Sequence, residues 1–198
     1  MKILVTGFDA FDQNPLNSSQ EVLKQLPDQI HQQKIYTLQL PTEVKAATKL
    51  LKETLSNQHF DAIVSLGEAS LRQDISIERI AINLMDFRIP DNAGFQPEDE
   101  SIDAQGPAAY FLTLPIKKML KACKEKEIAA SISNSAGTYV CNHVSYWIAH
   151  RMVQEKRPTI SGFIHLPKLT NQSKNLDLLV DGVETCLEVV INHLRCSL

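Results

Sequence analysis

Along the chain, short apolar runs alternate with amphipathic stretches, the pattern of a βαβ architecture. Lys2–Thr6 predicts a first strand, followed by a turn from Gly7 to Asn17. Ser18 and Glu21 have S-x-x-E spacing, a capping box for a short helix with Val22, Leu23 and Leu26 inward and Pro27 at its end. Lys34–Leu40 alternates as a second strand. Val44, Ala47, Leu51 and Leu55 form one stripe of a helix over residues 43–56. Asp61–Gly67 reads as a buried strand ending in glycine, and Ile75–Leu84 as a further strand. On that last strand Ser76, Glu78, Ile80 and Ile82 share a face, which leaves Glu78 as a carboxylate in mostly apolar company.

Residues 86–107 show neither periodicity and carry Pro90, Gly94, Pro97, Gly106 and Pro107. Such a stretch is usually functional or disordered. Pro115 suits the first turn of a helix with Ile116, Met119, Leu120 and Cys123 inward. A strand at Ile128–Ile132 leads through the small-residue turn Asn134–Thr138 to a helix at Cys141–Glu155. Thr159–Leu166 is the last strand, stopped by Pro167, and a closing helix covers Asp177–Leu194, weakened slightly by Gly182. The 198 residues contain no repeat, low-complexity segment or linker, so residues 1–198 are expected to form one domain.

Composition narrows the class. With 43% hydrophobic and 22% charged residues the chain reads as a globular protein, and a net charge of −3 offers no basic footprint for nucleic acid. No window is long enough for a membrane span, and the Met1–Val5 run is too short for a signal peptide, so a cytoplasmic location is expected. Cys123, Cys141, Cys186 and Cys196 are widely spaced and form no disulfide framework. Cys123 and Cys186 fall in apolar helical patterns as core thiols, and Cys196 lies near the chain end.

Cys141 falls where a small-residue turn enters a helix. Free backbone N–H groups and the helix dipole there favour a thiolate and can hold a developing oxyanion, although a core cysteine would read the same way. His165 ends a strand just before Pro167, where a neutral imidazole can take a thiol proton; the bland alternative is a buried histidine satisfied by a carbonyl. Because Cys141 also follows the carboxyl end of a strand, the two are expected on one rim. Glu78 would gain a partner by orienting the imidazole, with Arg72 as the rival partner, since Arg79 points to the opposite face. His143 shares no helix face with Cys141, and no second ligand pair appears, so no metal site is expected. His150 reads as exposed. Phe8 and Phe11 flank the turn after the first strand and can wall a small apolar pocket or simply pin the loop. No G-x-G-x-x-G is present to cradle a phosphate.

Five separated segments then carry a resemblance. They are Val5-Thr6-Gly7-Phe8-Asp9, Glu78–Asn83, Arg88-Ile89-Pro90-Asp91-Asn92, Ser133–His143 (SNSAGTYVCNH) and Gly162–Pro167 (GFIHLP). In this order, over nearly the whole chain, the sequence resembles the cysteine-type pyroglutamyl peptidases, also called pyrrolidone carboxyl peptidases. The resemblance implies a three-layer α/β/α sandwich around a mixed, largely parallel sheet, no cofactor and a homotetramer. It implies Cys141 as nucleophile, His165 as base and acid, and Glu78 as orienting carboxylate. It places Phe8, Phe11, Glu68, Arg88 and Val140 on the substrate side, with N-terminally pyroglutamylated peptides as substrates. Such a terminus is a neutral lactam, so shape and hydrogen bonds to the ring must replace recognition of an ammonium.

Departures from the family pattern are local. G-Q-A-G-G-R is replaced by Gly67-Glu68-Ala69-Ser70-Leu71-Arg72, which puts a carboxyl group near the pocket and removes a glycine pair. Asn-Pro-Ser is replaced by Asn17-Ser18-Ser19, the loop after Phe11 lacks glycines, and Leu166–Thr170 lacks an aromatic and a second proline. A homologue that binds pyroglutamyl peptides with weak or no catalysis is the alternative these changes leave open.

Overall fold

The structure, a computed structural model, describes residues 1–11, 15–169 and 173–196. Part of the glycine-poor loop after Phe11, and Thr170, therefore lie outside the described residues. In chain order the elements are β1 (Lys2–Phe8), α1 (Ser18–Gln25), β2 (Gln29–Ile30), β3 (Gln33–Leu40), α2 (Val44–Asn57), β4 (Ala62–Glu68), β5 (Ile75–Glu78) and β6 (Ile80–Ile82). They continue with β7 (Ala109–Phe111), α3 (Ile116–Glu125), β8 (Ala130–Ser133), α4 (Val140–Gln154), β9 (Ile160–Leu166) and α5 (Ser173–Arg195). Among the described residues no helix is long and apolar enough to cross a membrane.

Seven strands form one mixed sheet in the order β2-β3-β1-β4-β9-β5-β8. The β3, β1, β4 and β9 neighbours pair in parallel, β5 runs antiparallel to β9, and β8 is parallel to β5. Two-residue alternation divides the strand side chains between two cores. Ile3, Val5, Val64, Leu66, Ile164 and Leu166 pack in one core with residues of α1, α3 and α5. Leu4, Ile63 and Phe163 pack in the other with residues of α2 and α4. The result is a three-layer α/β/α sandwich. Gly182 has a packing reason for its place in α5, because a Cβ there would run into the side chain of Ile75 on β5.

Several expectations from the sequence are corrected. The single strand Ile75–Leu84 is broken at Arg79, whose N–H and carbonyl bond Ser133 and Leu112. Its first half joins the main sheet as β5, and its second half pairs with β7 in a separate two-stranded sheet. The helix α1 is capped by Asn17, whose side chain accepts from the Ser19 N–H, not by Ser18. Residues 86–107 are neither disordered nor regular: Asp91, 5% exposed, accepts from the N–H groups of Val44, Ala93 and Phe95. The carboxyl ends of β8 and β9 do not share a rim. Because β8 runs opposite to β9, its carboxyl end is not on the rim where β9 ends, and residues 134–139 carry the chain across to α4.

Candidate active site

The face of the sheet that meets α2 and α4 gathers the three candidate residues. On β9, Ile164 and Leu166 face the first core, so Phe163 and His165 face the second; on β5, Ile75 and Ile77 likewise leave Ser76 and Glu78 opposite. The β5–β9 register sets Ser76 across from His165, which makes Glu78 its diagonal neighbour, within reach of long side chains. The His165 Nδ1–H donates to Glu78 Oε1 at 2.8 Å, with His165 4% exposed and Glu78 0%. That bond fixes the tautomer of a neutral ring, leaving Nε2 as the acceptor. Arg72 donates to the same Oε1 at 2.6 Å, and its other nitrogen donates to the Ser135 carbonyl at 2.8 Å. Both partners weighed for Glu78 are therefore present at once.

Cys141 stands in the first turn of α4, after the extended cap residue Tyr139. Its Sγ lies over β4, so close to Gly67 that a Cβ there would sit 2.8 Å from the sulfur. Gly67 is the register partner of His165 across β4 and β9. A glycine at a strand end marks this close approach. Cys141 and His165 both line a pocket of about 430 Å³, whose other walls include Glu68, Arg72, Arg88 and Tyr139.

The electrostatics overturn one expectation. Burial pushes the Cys141 thiol up to about 12, with the charge of Glu78 adding to the rise and Glu68 contributing less. The backbone N–H at the helix start and Arg72 pull the other way and do not prevail. The thiolate expected from the helix dipole is thus outweighed by desolvation. Burial also lowers His165, against the opposing pull of Glu78. Burial would raise Glu78, but the hydrogen bond and charge of His165, with Ser133 and Arg72, together hold it below the usual carboxylate range. At neutral pH the site rests as a thiol, a neutral imidazole and a carboxylate.

A recess of about 30 Å³ beside Cys141 is lined by Phe8, Phe11, Asn17, Thr42, Glu68 and Tyr139. Phe8 is 2% exposed, and Phe11 packs its ring against Tyr139 with centroids 6.2 Å apart. The Glu68 carboxylate is buried and accepts from the Ser18 N–H at 2.9 Å, at the positive end of α1. Arg88 is exposed on the wall of the larger pocket and forms no ion pair with Asp86 or Asp91. Val140 is wholly buried in the α2/α4 core and lines neither hollow; Tyr139 takes the wall instead. His143 turns to Thr48 on α2, 2.8 Å from its Oγ1. Among the described residues no group of three His, Cys, Asp or Glu is placed to hold a metal ion. His150 is not free in solvent but bonds Tyr110 Oη at 2.8 Å. The sequence assigns no role to Tyr139, Asn17 or Thr42: the first two lie within quoted family segments, and Thr42 carries no signal beyond its place between β3 and α2.

An α/β/α sandwich that sets a thiol at a helix start near an imidazole backed by a buried carboxylate has the make-up of a thiol hydrolase. The family model described as Pyroglutamyl peptidase matches residues 1–197. The pyrrolidone-carboxylate peptidase of Treponema denticola is 45% identical over 206 residues, covering 98% of this chain and 94% of that protein. The pyrrolidone carboxyl peptidase structure from Thermococcus litoralis superposes with a TM-score of 0.94 at 35% identity, covering 100% of this chain and 96% of the other. Bacillus amyloliquefaciens pyroglutamyl peptidase I gives 0.91 at 35% identity, with 98% of each chain covered. The chain belongs to the pyroglutamyl peptidase family.

Proposed function

We propose that the protein is a cysteine exopeptidase that hydrolyses the amide bond after an N-terminal pyroglutamyl residue through a thioester. The hydrogen bond from His165 Nδ1 to the buried Glu78, beside the pocket that Cys141 lines, carries this reading. The names of the relatives support catalysis over binding alone.

With the thiol neutral at rest, His165 Nε2 takes the Cys141 proton as sulfur adds to the pyroglutamyl carbonyl. The carbonyl electron pair moves onto oxygen, where the N–H groups of the first turn of α4 and the exposed Arg88 are the donors at hand. The tetrahedral adduct collapses by breaking the C–N bond, and the imidazolium gives its proton to the departing amine. Water then adds to the thioester, with His165 again taking a proton, and releases pyroglutamate and the thiol. Glu78 keeps the ring in its tautomer and balances the imidazolium charge. Phe8 and Phe11 would pack against the lactam ring beside Cys141, and Glu68 and Arg88 would border it.

The protein is further proposed to work in the cytoplasm, where its four free cysteines suit a reducing compartment. A homotetramer is proposed on the resemblance, supported by the exposed apolar side chains of Phe111 and Val153 that an assembly would cover. The test of the activity is release of a chromogenic amine from a pyroglutamyl amide by wild type and Cys141→Ala. Turnover by wild type alone is expected; equal turnover by both would remove the mechanism.

A further inference from the structure

The hollows around Cys141 are not equivalent, and the difference assigns a direction to the substrate. The recess on one side is backed by Phe8, Asn17 and Thr42, each no more than 3% exposed, so a chain entering there has no way on. The larger pocket, which shares Phe11, Glu68, Tyr139 and Cys141 with the recess, leads away over the turn Ala69–Arg72, which is closed by the Arg72 N–H to the Ala69 carbonyl at 3.0 Å. Ser70 and Arg72 also line an adjoining hollow of about 430 Å³ that reaches α5. A peptidase that removes one terminal residue needs this asymmetry: a closed side that stops the ring and an open course for everything after the cleaved bond.

Two exposed apolar side chains stand along that open course. Leu71, at the tip of the turn, is 95% exposed and lines the pocket that holds Cys141 and His165. Leu178 on α5 is 56% exposed and lines the adjoining hollow, where Ile128 and Leu179 form apolar floor. A single exposed leucine is ordinary, but two on hollows that meet at Ser70 and Arg72, one of them lined by the reactive thiol, mark a contact surface. The rim of the adjoining hollow carries Glu127 and Lys168, opposite charges that favour neither an acidic nor a basic occupant.

We propose that Leu71 forms the subsite for the residue immediately after the pyroglutamyl group, with Leu178 serving the next residue. The protein then favours substrates whose second residue is large and apolar. This rests on the peptidase reading and adds a specificity determinant to it. Covering Leu71 with a leucine side chain should favour that substrate by about tenfold over serine, the lower end of what apolar pockets discriminate, because the contact is one-sided.

The test compares kcat/KM for pyroglutamyl-leucyl-glycine amide and pyroglutamyl-seryl-glycine amide, in wild type, Leu71→Ser and Leu71→Met. The ratio of the two substrates cancels any general loss of active protein. Wild type and Leu71→Met should prefer leucine, and Leu71→Ser should bring the ratio close to one. Equal use of both peptides by wild type, or a ratio unmoved by Leu71→Ser, would overturn the subsite while leaving the activity standing. Hydrolysis of neither peptide by wild type would overturn the peptidase reading and the subsite together.

Discussion

Replacing Gly67 with alanine perturbs the proposed chemistry through a single methyl group. Gly67 lies in a strand, so space and not conformation is the issue. The added Cβ would sit 2.8 Å from Cys141 Sγ, and 2.7 Å and 3.0 Å from Cζ and Cε1 of Phe163. Carbon atoms settle at roughly 3.5–4.0 Å, so each neighbour must give way by about 1 Å. The strand cannot retreat, because β1 and β9 hold β4 on both sides. Phe163 is wholly buried, with its ring centroid 4.7 Å from that of His165 and 6.4 Å from that of Phe8. Its displacement would therefore disturb either the imidazole or the recess. Overpacking of this kind costs about 1–3 kcal/mol, which for a chain of this size lowers Tm by roughly 2–12 °C. A misplacement of about 1 Å at the reacting atoms costs on the order of 100-fold in rate. The assay is kcat and KM on a pyroglutamyl amide beside a thermal melt, with the loss expected mainly in kcat. Wild-type kcat together with an unchanged Tm would refute the placement of the sulfur over β4.

Other expectations concern charge. Glu78→Gln should lower kcat by about 10⁴, as the loss of an orienting carboxylate does in other triads, and should destabilise the fold by removing the charge that Arg72 pairs with; steady-state rates and a melt check both. Arg72 disfavours the imidazolium, so Arg72→Gln should raise His165 and shift the acid limb of the kcat/KM profile to higher pH, and an unmoved limb would contradict the pairing. Because burial holds the Cys141 thiol at about 12, its alkylation by iodoacetamide should keep climbing through alkaline pH, and a plateau near neutrality would show a thiolate at rest. Burial lowers His143 from 6.5 to about 4, so the unfolded chain takes a proton that the folded chain refuses across that window. Stability should therefore fall as pH drops from 6.5 toward about 4, by on the order of 3 kcal/mol, and His143→Gln should flatten that part of a denaturation series.

Local chemistry made much of the site legible in the sequence. Cys141 follows a small-residue turn, His165 precedes Pro167, and Glu78 is a charge among apolar neighbours; each feature belongs to a few adjacent residues. Strand direction does not. A buried strand carries the same pattern whichever way it runs, so the reversal of β5 and β8 against β9 left no trace in residues 75–78 or 130–133. The break at Arg79 was hidden because alternation continues on both sides, while the choice of sheet for Ile80–Ile82 depends on Ala109–Phe111, far along the chain. The thiol's ionisation was misread for a related reason. The helix start is visible locally, but the protein packed around Cys141 and the nearby carboxylates is assembled from β4, β5 and β9.

The most direct test is to mix the protein with an activated pyroglutamyl ester, quench in acid within the first turnover and map the adduct by mass spectrometry. The mass of one pyroglutamyl group should appear on the peptide containing Cys141, vanish in Cys141→Ala, and accumulate when His165→Ala slows attack by water. An adduct on any other residue, or steady turnover with no acylated Cys141 and undiminished by Cys141→Ala, would contradict the account.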